Sequence, residues 1–389
     1  MTHPDRASRN DLASRAIRLK RVLFAIALDP TLKYGTLEEQ IFFLARAFRD
    51  RGSLFLPVFL SPLTARDASQ YQTEGIPVEH LNCSRLTIRT LLHLVQLSYR
   101  YKIELVHWNF YHPLNAYVWC LSFLKPGMKH YITDHDSRFS ETSRLNGGLK
   151  RFIKRALFRR YSKVLYVSDF VMECLRSEGM WTQLSRWPHL INTDRFRPDD
   201  VVRCRIRKEF GAEKQFILLV VAHLIPAKGV DLAIRALREL PDQVVLWIVG
   251  DGEELRRLQS LSRELSLEHR VRFWGLQRNV EPFMQTADCL VCPSVWGEAA
   301  GLVNLEALGC ALPVIASRTG GIPEFIEDGK IGFLFPAGDH KELAERIGRL
   351  LGDPGMWKAM GAQARSTAVE RFSLQSRLEQ LLGVYASVA

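Results

Sequence analysis

Short apolar runs alternate with helical segments along almost the whole length of this 389-residue chain. Alternation of this kind is typical of parallel sheets that are covered by helices on both faces. The candidate strands form one series at 21–28, 54–60, 104–108, 130–133 and 164–168, and a second at 216–221, 244–249, 271–274, 289–292, 314–316 and 332–335. The pattern predicts an α/β protein with two doubly wound, Rossmann-like domains.

The length also favours two domains, and the turn residues Pro198-Asp199-Asp200 mark the boundary between them. We predict an N-terminal domain at 1–197, a C-terminal domain at 198–371, and a last helix, near 374–384, within 372–389. Doubly wound sheets bind ligands at the carboxyl ends of their strands. Two such domains are therefore expected to face each other across a ligand-binding cleft.

The first 21 residues are charged and polar, and the longest apolar stretches, such as 116–124, are too short to cross a bilayer. The seven cysteines are scattered. Cys289 and Cys292 are spaced like metal ligands, but they stand in an apolar strand without a second pair. We interpret them as buried thiols and predict a cytoplasmic location, where thiols stay reduced.

The formal net charge of +11 arises within residues 1–200, which hold 30 Lys+Arg and 19 Asp+Glu. The densest basic run, Lys150–Arg160, has helical periodicity with apolar residues on one side. Two interpretations stay open: a helix that lies on an anionic membrane at its cytoplasmic face, or a core helix with a solvated basic face. No nucleic-acid recognition motif accompanies the charge.

Two carboxylates, Glu298 and Glu306, stand in the run SVWGEAAGLVNLEALGCALPVIAS, which predicts a strand, a loop and a helix that begins near Gly301. The loop can direct Glu298 toward the same cavity as Glu306. Backbone N–H groups of Ala300, Gly301 and Leu302 at the helix N-terminus favour a phosphate. Two acceptors beside an anion pocket suit a sugar joined to a nucleotide diphosphate, although a surface helix with two carboxylates is the simpler alternative.

The surrounding motifs resemble the sugar-donor site of the family-4 retaining glycosyltransferases. The shared positions are Pro293, Ser294, Glu298, 301–303, 305–307, Gly309, Pro313, Val314, 320–324, Asp328, Gly329 and 332–334. Upstream, Leu224 with Lys228-Gly229 resembles the phosphate-binding loop of that family, and 249–252 its next strand end. The resemblance covers nearly the whole chain and is denser in the second half.

The resemblance implies the GT-B architecture, with acceptor binding in the first domain, nucleotide-sugar binding in the second, and a last helix that crosses back to the first. It implies a retaining, hexosyltransferase-type enzyme that moves a sugar from a nucleotide-diphosphate sugar to a saccharide or lipid-linked saccharide, without a cofactor or an obligatory metal. Assembly of a surface polysaccharide is the expected role. A nucleotide-sugar epimerase of the same fold and a catalytically degenerate, nucleotide-sugar-binding partner subunit remain the alternatives.

The resemblance also implies the roles of individual residues. His135 would face the donor sugar, Lys228 would meet the diphosphate, Glu298 would hold the sugar hydroxyls and Glu306 the ribose. The implied catalytic residues are His135, Lys228 and Glu298. The implied donor-binding residues are Gly35, Thr36, His223, Lys228, Gly250, Leu276, Glu298, Ala300, Gly301, Leu302, Val303 and Glu306.

Three positions depart from the family pattern. Ala222-His223 replaces the usual Gly-Arg, and a histidine is fully charged only below about pH 6.5. The family has two glycines where this chain has Gly35-Thr36, so only one of them is kept. His189 begins a segment where the family has Asn-Gly.

Overall fold

The computed structural model describes residues 18–28, 35–111, 115–135, 158–180 and 183–387. The described residues form two large parallel sheets with helices packed on them, and each half of the chain builds one sheet. The prediction of an α/β fold with two doubly wound, Rossmann-like halves is confirmed.

The N-terminal sheet has seven strands in the order β4-β3-β2-β5-β6-β7-β8, all paired in parallel. Its elements, with the short strand β1 that precedes them, are β1 (Arg18–Leu19), β2 (Val22–Ile26), α1 (Thr36–Asp50), β3 (Phe55–Phe59), α2 (Ala65–Thr73), β4 (Glu79–His80), α3 (Ile88–Arg100), β5 (Leu105–Asn109), α4 (Ala116–Leu124), β6 (Lys129–Asp134), β7 (Lys163–Tyr166), α5 (Asp169–Ser177) and β8 (Leu184–Arg186).

The C-terminal sheet has six strands in the order β11-β10-β9-β12-β13-β14, again all parallel. Its elements, with those that follow it, are α6 (Asp200–Glu209), β9 (Phe216–Val221), α7 (Val230–Leu237), β10 (Val244–Val249), α8 (Leu255–Glu264), β11 (Val271–Phe273), α9 (Glu281–Thr286), β12 (Cys289–Cys292), α10 (Leu302–Gly309), β13 (Val314–Ser317), β14 (Gly332–Phe335), α11 (His340–Gly352), α12 (Pro354–Phe372), α13 (Leu378–Tyr385) and β15 (Ala386–Ser387).

Strands β2, β9, β10 and β12 are apolar along their whole length because helices cover both faces of each sheet. Every residue of β2 and of β10 is buried. Cys289 and Cys292 lie in β12 as buried free thiols, and burial raises the pKa of the Cys292 thiol to about 11. This agrees with the interpretation of the pair as packed side chains.

The C-terminal end of the chain returns to the N-terminal half. The Tyr385 hydroxyl lies 2.7 Å from Nδ1 of His107 in β5, and β15 pairs antiparallel with β1. The last helix begins at Leu378, whereas the sequence predicted a start near 374, because the segment before it is a turn. In that turn, Ser376 N donates to Ser373 Oγ over 3.1 Å.

Ion pairs also join the two halves. Arg195, in the connection between the sheets, pairs with Glu39 of α1 at 2.7 Å and with Glu281 of α9 at 2.9 Å. Glu324 of the C-terminal half accepts from the backbone N–H of Asp169 at the N-terminus of α5. These contacts set the two sheets with a cleft between them.

Among the described residues, no helix combines the length and the apolar character that a membrane span requires. Most of the basic run predicted to contact a membrane, 150–157, lies outside the described residues. Its last residues are described: Phe158 is buried, and the Arg160 guanidinium lies 4.6 Å from the ring centroid of Trp119.

Candidate active site

A cavity of about 330 Å³ lies where the carboxyl ends of strands from the two sheets face each other. The N-terminal half contributes the residues after β5 and β6, and the C-terminal half contributes those after β9 and β12. The lining residues are Leu37, Phe110, His135, His189, Val220, Val221, Ala222, His223, Lys228, Val291, Cys292, Pro293, Ser294, Glu298, Ala299, Ala300, Gly301, Leu302 and Val303.

The Glu298 carboxylate is buried and tightly held. Its Oε1 accepts from Ser294 Oγ over 2.7 Å and from Trp296 Nε1 over 3.2 Å, and it forms an ion pair with Lys228 Nζ. Three donors on one oxygen fix the orientation of the carboxylate. The side chain is therefore set as a hydrogen-bond acceptor at the cavity wall.

The backbone around Glu298 is shaped by two glycines of the opposing loop. Gly320 has φ of +56°, and a Cβ there would lie 2.3 Å from the Glu298 carbonyl oxygen. Gly321 donates its N–H to the same oxygen over 2.8 Å. The Gly-Gly pair is needed because the two backbones approach too closely for a side chain.

Lys228 ends the 3-10 turn Pro226–Lys228, which follows β9. The next residue, Gly229, has φ of +58°, and a Cβ there would lie 2.2 Å from the Pro293 carbonyl oxygen. This close packing joins the lysine loop to the Glu298 loop. Among the described lining residues, Lys228 is the only lysine or arginine.

Helix α10 directs its N-terminus into the cavity. Its N-cap is Gly301, with φ of +70° and no side chain that could accept from the first turn. The first N–H groups of a helix lack intrahelical partners, and the helix dipole makes this end attractive to anions. Ala300, Leu302 and Val303 line the same wall, so an anion-binding end lies beside Lys228 and Glu298.

Two histidines form the wall from the N-terminal half. His135 stacks on Phe110 with ring centroids 4.2 Å apart, and its Nε2 lies 3.3 Å from Asn109 Oδ1. His189 lies 5.7 Å from His135 between ring centroids, and its buried Nδ1 has no hydrogen-bond partner among the described residues. Burial lowers the pKa of each histidine to about 3. Both rings are therefore neutral near pH 7.

These lowered pKa values predict a loss of stability on acidification. The unfolded chain takes up protons near pH 6.5, whereas His135 and His189 stay neutral in the folded protein down to about pH 3. The unfolded state then binds more protons in this window, so the free energy of unfolding falls as the pH falls, by about 1–2 kcal/mol per histidine from pH 6.5 to 5.

Denaturant titrations across this pH range measure the effect. The free energy of unfolding of the variant His189→Asn should depend less steeply on pH than that of the wild type. The matched control is His269→Asn, which replaces an exposed histidine and should keep the wild-type pH dependence. An equal slope in the wild type and in His189→Asn would contradict the buried, neutral state of His189.

The structure brings together on the cavity most of the residues predicted for the site. It places His135, His223, Lys228, Glu298, Ala300, Gly301, Leu302 and Val303 there. Their roles stay predictions. Gly35, Thr36, Gly250, Leu276 and Glu306 lie elsewhere among the described residues.

Glu306 was expected to share the cavity with Glu298, but it is buried and is not among the lining residues. Its Oε1 accepts from Thr36 Oγ1 over 2.5 Å, so it links α10 to α1 across the two halves. Gly35 is the N-cap of α1. Gly250 packs against the Ala222 carbonyl, and a Cβ at position 250 would lie 1.8 Å from that carbonyl oxygen. The Leu276 side chain is 67% exposed.

Sequence reasoning did not identify Phe110, His189 or Trp296 as site residues. Phe110 and Trp296 follow β5 and β12, so the rule that ligands bind at the carboxyl ends of parallel strands would have found them. Phe110 also has φ of +60°, a left-handed conformation that is uncommon for a bulky residue. No local signal indicated that His189 would line the cavity.

Two family models match successive parts of the chain. Residues 37–195 match Glycosyltransferase Family 4, and residues 202–367 match Glycosyl transferases group 1. A GDP-mannose-dependent alpha-(1-6)-phosphatidylinositol monomannoside mannosyltransferase of Mycolicibacterium smegmatis is 34% identical over 58% of this chain and 63% of its own length. An N-acetyl-alpha-D-glucosaminyl L-malate synthase of Bacillus anthracis is 34% identical over 47% of this chain and 49% of its own. The matched region thus spans 63% and 49% of these two curated relatives.

The architecture is also found in solved structures. HepE of Anabaena, in complex with UDP-glucose, superposes with a TM-score of 0.79 at 23% identity, over 94% of this chain and 99% of that one. This likeness shows the fold. Because the two family models match the N-terminal and the C-terminal half in turn, the chain belongs to the family-4 glycosyltransferases of the GT-B fold.

Proposed function

We propose that the protein is a retaining, hexosyltransferase-type enzyme that moves a sugar from a nucleotide-diphosphate sugar to a saccharide or lipid-linked saccharide. The observation that carries the proposal is the Lys228–Glu298 ion pair beside the N-terminus of α10, within one cavity between the two halves. A cation and free N–H groups suit a diphosphate, and a fixed carboxylate suits sugar hydroxyls.

Binding of the diphosphate would exchange the partners of this ion pair. Lys228 Nζ now pairs with Glu298 Oε1 and lies 5.6 Å from the centroid of the Trp296 ring. A diphosphate at the N-terminus of α10 would attract the ammonium more strongly than one carboxylate does, because it carries more charge. The released Glu298 oxygen could then accept from a hydroxyl of the donor sugar.

Catalysis would rest on stabilising the departing diphosphate. The transition state has oxocarbenium character, and negative charge grows on the leaving group. Lys228 and the N–H groups of α10 are fixed in advance at the anion-binding end, which is the arrangement that stabilises developing charge most effectively. His135, half-buried and neutral, would supply a hydrogen bond to the sugar without adding charge.

The cavity does not resemble the site of a glycosidase. Glu298 is the only carboxylate among the described lining residues, whereas glycosidases use two carboxyl groups on either side of the bond. We propose front-side transfer that needs neither a carboxylate nucleophile nor a metal. In the described part of the chain, no cluster of three or more His, Cys, Asp or Glu side chains could hold a metal ion.

The acceptor and the setting are proposed from the relatives. The mycolicibacterial relative is named for GDP-mannose and for phosphatidylinositol monomannoside, and HepE was solved with UDP-glucose. A GDP- or UDP-sugar as donor and a lipid-linked saccharide as acceptor fit this chain. The enzyme would then act in surface polysaccharide assembly in the cytoplasm, at the inner face of the cytoplasmic membrane, where 150–160 could also contact anionic lipid.

Thermal unfolding with a panel of UDP-, GDP- and ADP-sugars tests donor binding. A ligand at 100 times its Kd stabilises the folded state by about 2.7 kcal/mol, so one nucleotide class should raise the Tm by several degrees. Free sugars and nucleoside monophosphates, which lack the diphosphate, are the controls. If no nucleotide sugar changes the Tm, the proposal fails. A Tm shift without turnover supports the partner subunit, and an epimerised donor supports the epimerase.

A further inference from the structure

Helices α3 and α4 of the N-terminal half present large apolar side chains to solvent. On α3, Ile88, Leu92 and Tyr99 are 79%, 62% and 61% exposed, and on α4, Phe123 and Leu124 are 72% and 50% exposed. Single exposed apolar residues are ordinary, but a cluster of them marks an interaction surface. We call these five residues the α3–α4 surface.

The α3 residues of this surface share one side of the helix. At 100° per residue, Ile88, Leu92 and Tyr99 lie within about 40° of one another. Leu94 and Leu97 lie on the opposite side and are buried in the core. Helix α3 therefore has two apolar faces, and the core occupies only one of them.

Helices α3 and α4 run side by side in the same direction. In their first turns, Thr87 N donates to the Tyr117 hydroxyl over 3.1 Å. In their last turns, Lys125 Nζ donates to the Ser98 carbonyl over 2.7 Å. The exposed residues of the two helices therefore belong to neighbouring elements of one surface.

This surface is also basic. Residues 80–133 contain six Lys or Arg and one acid, Glu104, which pairs with Arg18 at 2.9 Å. From the next segment, the Arg160 guanidinium lies 4.6 Å from the Trp119 centroid and 5.8 Å from the Phe123 centroid. Arg89 and Arg100 of α3 are exposed, so the apolar residues of this helix are accompanied by cations.

We propose that the α3–α4 surface docks the protein on an anionic lipid bilayer. Ile88, Leu92 and Phe123 would enter the interface, and the exposed Arg89 and Arg100 would contact lipid phosphates. Two copies of so basic a surface repel each other, which disfavours self-association through it. The proposal does not depend on the transferase chemistry, and it places the contact on residues other than 150–157.

Sedimentation with phosphatidylcholine vesicles that contain about 30% phosphatidylglycerol tests the proposal, because such vesicles have a negative surface potential. The wild type should bind at low salt and dissociate as salt rises. The variant Ile88→Ser/Leu92→Ser/Phe123→Ser should bind at least about tenfold more weakly. A matched control, Val201→Ser/Val369→Ser, removes two exposed apolar residues elsewhere and should bind like the wild type.

Two double variants that remove arginines test the electrostatic contribution to vesicle binding. Arg89→Gln/Arg100→Gln should weaken binding about tenfold, whereas the exposed Arg205→Gln/Arg238→Gln should not. The proposal is overturned if the wild type ignores anionic vesicles at low salt, or if the apolar variant and its control lose binding equally.

Two further results would also overturn the proposal. The first is a wild-type dimer that the apolar variant converts to a monomer, because the surface would then bind a second copy. The second is vesicle binding that is lost only when Lys150, Arg151, Lys154 and Arg155 are replaced by Gln. Nucleotide-sugar binding, measured by thermal unfolding on the same variants, should be unchanged, so that failure of membrane docking is distinguishable from failure of the proposed function.

Discussion

Replacement of Glu298 by Ala is expected to lower the rate of sugar transfer by about 100- to 1,000-fold, the usual cost of removing a group that stabilises the transition state. The carboxylate is buried at the cavity wall and is held by Ser294, Trp296 and Lys228. The variant therefore loses the acceptor for sugar hydroxyls and leaves Lys228 without its partner. Transfer of radiolabelled sugar to product, at saturating nucleotide sugar, measures the loss.

The control for this prediction is Glu342→Gln, which changes a glutamate in an ion pair with Arg346 on α11, and neither residue lines the cavity. Its activity should equal that of the wild type. The fold of Glu298→Ala should persist, since an unpaired polar group costs about 1–3 kcal/mol and the apolar core is unchanged. Normal turnover in a folded Glu298→Ala would show that the carboxylate does not contact the sugar.

Replacement of Lys228 by Ala is expected to weaken binding of the nucleotide diphosphate by about 10- to 150-fold, since hydrogen bonds to charged groups contribute about 1.5–3 kcal/mol. Lys228 is the only lysine or arginine on the described lining. Calorimetric titration with the nucleoside diphosphate alone measures this loss of affinity without the sugar.

Two controls make this prediction specific. Lys341→Ala removes an exposed lysine in the first turn of α11 and should leave the Kd unchanged. Lys228→Arg keeps the charge and should retain more affinity than Lys228→Ala. If Lys228→Ala binds the diphosphate as tightly as the wild type, the phosphates are held by α10 and by His223 alone.

Much of the fold could be predicted from local patterns. Strands β9 and β10 are apolar throughout because both of their faces are buried, so their runs, 216–221 and 244–249, stand out in the sequence. The edge strands β4 and β8 were missed because they have two and three residues and are only half-buried or exposed. The β1–β15 pair joins the two ends of the described chain, and no local pattern encodes such a contact.

The site could be predicted only where its residues follow a strand or begin a helix. Glu298 was found because it stands in a loop that leads into a helix N-terminus, and Lys228 was found from the resemblance of its loop to the phosphate-binding loop of the family. The contact of Thr36 with Glu306 joins residues 270 positions apart, so the burial of Glu306 could not be inferred from its spacing to Glu298. The neutral state of His189 likewise depends on burial between two distant segments.

The most direct test of the proposed function is product analysis with the nucleotide sugar that the thermal panel selects. The wild type is incubated with that donor and a lipid-linked saccharide extract, and the product is examined by mass spectrometry and by NMR of the anomeric carbon. We predict release of the nucleoside diphosphate and a new glycoside with the anomeric configuration of the donor, both absent with Glu298→Ala. A glycoside of inverted configuration, an epimerised donor, or equal product from Glu298→Ala would contradict the proposed function.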